Sequence, residues 1–248
     1  MRRVLFYWGS VPIYSFPVML YLGIVLGLYA QLYAASLIGL DLTHTLGVTL
    51  LLLMTALLGA RLLFVISNWR AYREHPRRIW QFSEAGASMY GGLLLALPMS
   101  LPLLLLFEIP FGAFWDVASF TMLVGITVTR VGCLLSGCCA GRPTAGWFGL
   151  SLPGHDGVWR RRIPSQILES GWGAIVLAGA LVLWGRLPVQ GALFLYSLGA
   201  YGAGRILLES TRDKQDRVSR INLAQAISAG FVAISLVAFA IVWWRSTP

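Results

Sequence analysis

Apolar residues run along this chain in long stretches, not in the short alternations of a half-buried helix or strand. A helix that crosses the hydrocarbon core of a bilayer needs roughly 20 mostly apolar residues. Seven stretches approach that length: 17–40, 46–69, 88–109, 114–136, 171–185, 191–208 and 222–244. The fifth and sixth are short and separated only by "RLPVQ", which predicts a tight helical hairpin. Polar positions collect in three places: "RAYREHPRRIWQFSEAGA", residues 137–170, and "ESTRDKQDRVSR". Trp and Tyr cluster near several span ends, where amphipathic rings anchor at the interface. There is no clear internal repeat, and no polar stretch is long enough to fold a soluble domain. The pattern predicts an all-α, polytopic integral membrane protein with about seven transmembrane helices, in a single membrane-embedded domain over 1–248.

Composition agrees. Of 248 residues, 57% are hydrophobic and only 12% are charged, against about 25% charged in soluble domains. The mean hydropathy is +0.72. The net charge of +9 suits loops that face anionic lipid headgroups. Nucleic acid is excluded as a partner, because no basic stretch is long or interleaved with stacking aromatics. The N-terminal "MRRVLFYWGSVPIYSFP" lacks a small-residue cleavage site, so it reads as part of the mature chain and not as a signal peptide.

The basic residues are distributed unevenly. Arg2 and Arg3, the arginines after the second and fourth stretches, and four basic residues after the sixth all fall on one side of a seven-span chain. The positive-inside rule places that side in the cytoplasm.

Three arginines lie within or at the edge of apolar stretches: Arg61 in "LLGARLLFV", Arg130 in "GITVTRVGC" and Arg205 in "AYGAGRILLES". An arginine at mid-bilayer costs a few kcal/mol. Snorkelling or a structural ion pair is one explanation. Glu209, four residues after Arg205, lies on the same helix face, and Arg212 follows about one turn later. The other explanation is a cavity for an anionic ligand. In a membrane that ligand is a phospholipid phosphate, which guanidinium binds through a two-pronged fork without ever losing its proton. Glycines surround these arginines, either to pack helices closely or to make room for a headgroup.

All three cysteines, Cys133, Cys138 and Cys139, fall in "TRVGCLLSGCCAGRPTAGWFG". The spacing C-x4-C-C has no second pair to complete a zinc site and is not the C-x-x-C of a thiol–disulfide enzyme. No metal and no cofactor is expected; for at least one of the three, cysteine serves as a small residue that tolerates the membrane.

The frame around the cysteines, Arg130-x-Gly132-x4-Gly137-x3-Gly141-Arg142, resembles the "RxGNFxNGExxGR" signature of the prolipoprotein diacylglyceryl transferases. Further blocks are similar to that family in the same order. "PIYSFPVMLYLGIVLGLYA" supplies Tyr21, "LLGARLLFVISNW" supplies Arg61, and "GASMYGGLLLALP" supplies Tyr90, Gly91 and Gly92. "RRIPSQILES" supplies Gln166 and Glu169, and "LYSLGAYGAGRILLESTRD" supplies Tyr201, Arg205, Glu209 and Arg212. Tyr90 stands where the family has His, Cys133 and Ser136 where it has Asn, Cys138 where it has Glu, and Ile163 where it has His.

The resemblance implies a multi-pass enzyme of the bacterial cytoplasmic (inner) membrane. Such an enzyme moves the diacylglyceryl group of phosphatidylglycerol to a lipobox cysteine thiol in a prolipoprotein signal peptide. It implies catalytic roles for Arg130, Arg205, Tyr90 and Glu209. It implies substrate contacts for Tyr21, Arg61, Gly91, Gly92, Gly132, Cys133, Ser136, Gly137, Gly141, Arg142, Gln166, Glu169, Tyr201 and Arg212. It also implies an external N-terminus, against the charge bias. Two other readings compete: a non-catalytic or re-purposed paralogue that binds phospholipid or a membrane protein, and an arginine-lined anion transporter. The transporter lacks the expected inverted repeat.

Overall fold

The structure, a computed structural model, describes residues 3–73, 89–154, 157–187, 189–212 and 223–246. The chain forms two compact units, residues 1–34 with 115–248, and residues 35–114. Each of the seven apolar stretches carries a helix: α1 (Ser15–Leu37), α2 (Leu42–Ser67), α4 (Met89–Leu106), α5 (Phe111–Ser136), α6 (Ser165–Leu183), α7 (Ala192–Glu209) and α8 (Leu223–Ser246). A short α3 (Trp69–Arg73) follows α2. Among the described residues, four helices, α1, α2, α5 and α6, are long and apolar enough to cross a membrane. Large apolar side chains stay exposed on the helices, among them Leu57, Leu105 and Leu207. This is the surface of a membrane protein.

Two corrections to the sequence reading stand out. The fold is helical but not purely so, because two antiparallel hairpins are present: β1 (Val4–Trp8) with β2 (Val11–Tyr14), and β3 (Leu150–Pro153) with β4 (Trp159–Arg162). The first is the aromatic N-terminal stretch, turned at Gly9 with φ +61°, a conformation glycine takes at no steric cost. Secondly, α6 begins at Ser165 rather than at 171. Its first turns carry Gln166 and Glu169, which look like loop residues by polarity but are buried.

Small residues set the helix crossings. In the 35–114 unit, a Cβ on Gly91 would collide with the Gly59 carbonyl, and one on Gly92 would sit 2.9 Å from the Ala56 carbonyl oxygen. In the other unit, a Cβ on Gly27 would lie 2.9 Å from Thr121 Cα, and one on Gly132 would lie 2.8 Å from Met19 Cβ. Thr121 donates to Gln31 Oε1 at 2.6 Å across the same α1–α5 contact. The α7 start has no capping side chain of its own. Asp116 of α5 supplies one, accepting from the Gly191 amide at 2.7 Å and the Phe194 amide at 2.9 Å.

Candidate functional site

Four chain segments meet at one end of the larger unit: the start of α1, the end of α5, the start of α6 and the end of α7. The end of α5 closes with a Schellman motif. The Cys138 amide donates to the Cys133 carbonyl at 3.1 Å and the Gly137 amide to the Leu134 carbonyl at 3.2 Å, with Gly137 at φ +73°. This is the paired cap in which a left-handed glycine satisfies the last carbonyls. Cys139 follows at φ +59°, unusual for a residue with a side chain.

The chain then runs through a narrow seam. The Gly141 amide donates to the Ile163 carbonyl at 2.9 Å, and the Arg142 amide to the Thr211 carbonyl at 2.9 Å. A Cβ at Gly141 would lie 2.7 Å from the Ile163 carbonyl oxygen, so only glycine fits. Ser136 Oγ lies 3.0 Å from Ser15 Oγ, which ties the end of α5 to the start of α1.

Glu169 is the centre of the site and is only 3% exposed. Its Oε2 lies 2.6 Å from Arg130 Nε, and its Oε1 lies 2.6 Å from Arg205 Nη1 and 3.3 Å from Arg212 Nη1. Arg205 Nη2 also pairs with Glu209 Oε2 at 3.0 Å. Among the described residues, three guanidinium groups thus share two carboxylates. A buried carboxylate needs such partners, because an unpaired charge out of water is very costly.

Beside the network lies a groove of about 280 Å³ between α5 and α6, lined by Arg130, Val131, Leu134, Gln166, Ile167, Ser170 and Gly171. Its walls are mostly apolar, with one guanidinium at the edge. Gln166 Nε2 donates to the Cys138 carbonyl at 2.6 Å and so holds the cysteine turn against α6. Among the thiols, hydrogen bonds from Cys133 and Cys138, then the charges of Arg130 and Arg212, pull Cys139 well below the ordinary thiol range. Cys138 is pushed the opposite way by its hydrogen bonds to Cys133 and Cys139.

The expected site residues separate into groups. Arg130, Glu169, Arg205, Glu209 and Arg212 form one network, and Cys133, Tyr201 and Cys139 lie within electrostatic reach of Arg130. Ser136, Gly137, Gly141 and Gln166 shape the segments around it. Gly132 is accounted for by packing on Met19. Arg142 takes part through its backbone, while its side chain is exposed. Tyr21 is 71% exposed on α1, outside the network.

Arg61, Gly91 and Gly92 belong to the other unit. There Arg61 is buried, with its guanidinium carbon 5.5 Å from the Tyr72 ring centroid and 6.0 Å from that of Phe64. Gly91 and Gly92 have a packing role there. The backbone of Tyr90 is helical, and its side chain lies outside the described residues.

Sequence reasoning missed Arg162 and Thr211. Arg162 was one more loop charge by sequence, yet it is 4% exposed and donates from Nη1 to the Gly141 carbonyl at 3.3 Å. The signal available was its position directly before the apolar "IP". Thr211 Oγ1 lies 3.2 Å from Ser165 Oγ and locks the end of α7 to the start of α6; nothing in the sequence pairs those two.

Comparison with known proteins gives a consistent result. The family model described as prolipoprotein diacylglyceryl transferase matches residues 3–243. The phosphatidylglycerol–prolipoprotein diacylglyceryl transferases of Bacillus cereus (strain Q1), Bacillus mycoides (strain KBAB4) and Bacillus anthracis (strain CDC 684 / NRRL 3495) are each 27% identical over 247 residues. In each case the match covers 95% of this chain and 90% of the relative.

Proposed function

Since the chain belongs to the prolipoprotein diacylglyceryl transferase family, we propose that it transfers the diacylglyceryl group of phosphatidylglycerol to a prolipoprotein cysteine thiol at the bacterial cytoplasmic membrane. The observation that carries this reading is the arginine network, set beside a mostly apolar groove that Arg130 lines. A phospholipid has the matching anatomy: an anionic headgroup and apolar chains.

In the transfer, the thiol sulfur attacks the diacylglyceryl carbon next to the phosphate oxygen. A C–S bond forms, the C–O bond breaks, glycerol phosphate leaves with the electron pair, and the thiol proton is released to solvent. Negative charge builds on the leaving phosphate. Preorganised cations in a water-poor site stabilise such charge without reorganising. Arg130 engages Glu169 through Nε and lines the groove, so it is the group that meets the phosphate. Glu169 and Glu209 fix the guanidinium planes and act as positioning residues.

Complementation tests this reading. In cells depleted of their own transferase, this chain is expected to restore the prolipoprotein gel shift, and Arg130→Ala is expected to abolish it. A well-expressed chain that gives no shift would favour a re-purposed phospholipid-binding paralogue. Cys133 supports that second reading, since a thiol replaces the family's amide beside Arg130.

A further inference from the structure

The three cysteines, spaced C-x4-C-C, form one cluster in the fold. The sulfurs of Cys133, Cys138 and Cys139 all lie within 4.8 Å of one another. Two local devices bring them together. The Schellman cap folds Cys138 back over the last turn of α5, with its thiol 3.6 Å from the Cys133 carbonyl oxygen. The left-handed Cys139, φ +59°, then turns the chain again. A non-glycine residue in that conformation costs about 1–3 kcal/mol and persists only where its surroundings require it.

Space-filling explains one buried thiol but not three converging ones. A thioether formed on a resident cysteine would be a dead end, because that carbon–sulfur bond does not break again under the same chemistry.

The surroundings suit a metal–thiolate centre. Three thiolates around a divalent ion carry a net charge of −1, which suits a neighbourhood rich in guanidinium groups. Arg130 and Arg212 both act on Cys139 from within electrostatic reach. Gln166, only 1% exposed, is pinned to the Cys138 carbonyl by its amide nitrogen. Its Oε1 is buried without a hydrogen-bond partner. A water on the fourth position of a tetrahedral ion would give that oxygen a donor. Cys138 is exposed and offers an entry path. Thiolate sulfur selects soft, thiophilic ions, and zinc takes three protein ligands plus water in open sites.

We propose that Cys133, Cys138 and Cys139 form a binding site for a divalent thiophilic cation of the zinc class, set against the arginine network at the end of α5.

The test uses full-length, reduced, untagged protein in detergent, stripped with a chelator and given zinc alone. About one zinc per chain is expected to survive gel filtration and to protect all three thiols from maleimide. Cobalt in place of zinc should show the intense visible bands of a tetrahedral thiolate site. Cys138→Ser, at an exposed position, and Cys139→Ser should each weaken zinc binding by at least roughly tenfold. Matched unfolding curves of the metal-free proteins would separate ligand loss from misfolding. Wild-type protein that retains less than about a tenth of an equivalent, or serine variants that bind as tightly as wild type, would overturn the proposal. None of these readouts depends on transferase activity.

Discussion

Glu169 shows how much one residue decides. It is a single carboxylate, almost fully buried, with three arginines on its two oxygens. Removing one partner of a buried ion pair leaves the other charges uncompensated, at a cost of about 3–5 kcal/mol. Glu169→Ala is therefore expected to lower the midpoint of thermal unfolding in detergent far more than Glu209→Ala, which removes only one contact with Arg205. Arg130→Lys keeps the charge but loses the planar fork; transferase activity should fall sharply while expression is maintained.

The thiols give a pH signature at the same scale. A thiol with a pKa near 8.5 is less than about 1% ionised at pH 6. Cys139 is held below that range and Cys138 above it, so as pH falls Cys139 keeps its thiolate. In metal-free protein at pH 6, iodoacetamide followed by peptide mass spectrometry should find Cys139 modified before the more exposed Cys138.

Among the elements, α7 depends on a neighbour for its first turn. Two amide donors, at Gly191 and Phe194, end on Asp116 of α5. A lost N-terminal cap costs about 0.5–2 kcal/mol, so Asp116→Ala should lower stability by that order. Because α7 carries Arg205 and Glu209, the variant should also lower activity. The α2–α4 crossing makes an independent case. Gly59 and Gly91 bring two backbones so close that a side chain on either meets the other's carbonyl. Overpacking of this kind costs about 1–3 kcal/mol, and Gly91→Val should show it as reduced thermal stability. In the sequence these same glycines allow either close packing or room for a headgroup. Only the packing tells the two uses apart.

For the whole molecule, the charge bias and the family's external N-terminus point to opposite membrane orientations. Several of the arginines that create the bias have internal partners in the fold. Arg161 donates to the carbonyls of Gly149 and Trp147, Arg162 donates to that of Gly141, and Arg212 pairs with Glu169. Arginines that serve the folded protein in this way do not report orientation alone. An N-terminal epitope is accordingly expected to be accessible to protease in intact spheroplasts, with a C-terminal one protected.

The sequence by itself determined the membrane class, the seven helical stretches and the arginines at issue. These follow from chain-local physics: bilayer thickness sets the length of an apolar run, and a charge within such a run is conspicuous. The five motif blocks, from Tyr21 to Arg212, also gave the family without any coordinates. What required the tertiary structure was partnership. Glu169 is polar and lies before the apolar part of its helix, so it reads as loop until three arginines from two other helix ends converge on it. Arg162 reads as surface charge until Gly141 closes over it. The cysteines read as substitutions within a motif, because linear spacing says nothing of a Schellman cap followed by a left-handed residue. Burial and ion pairing depend on residues distant in the chain meeting in space, and no local pattern encodes that meeting.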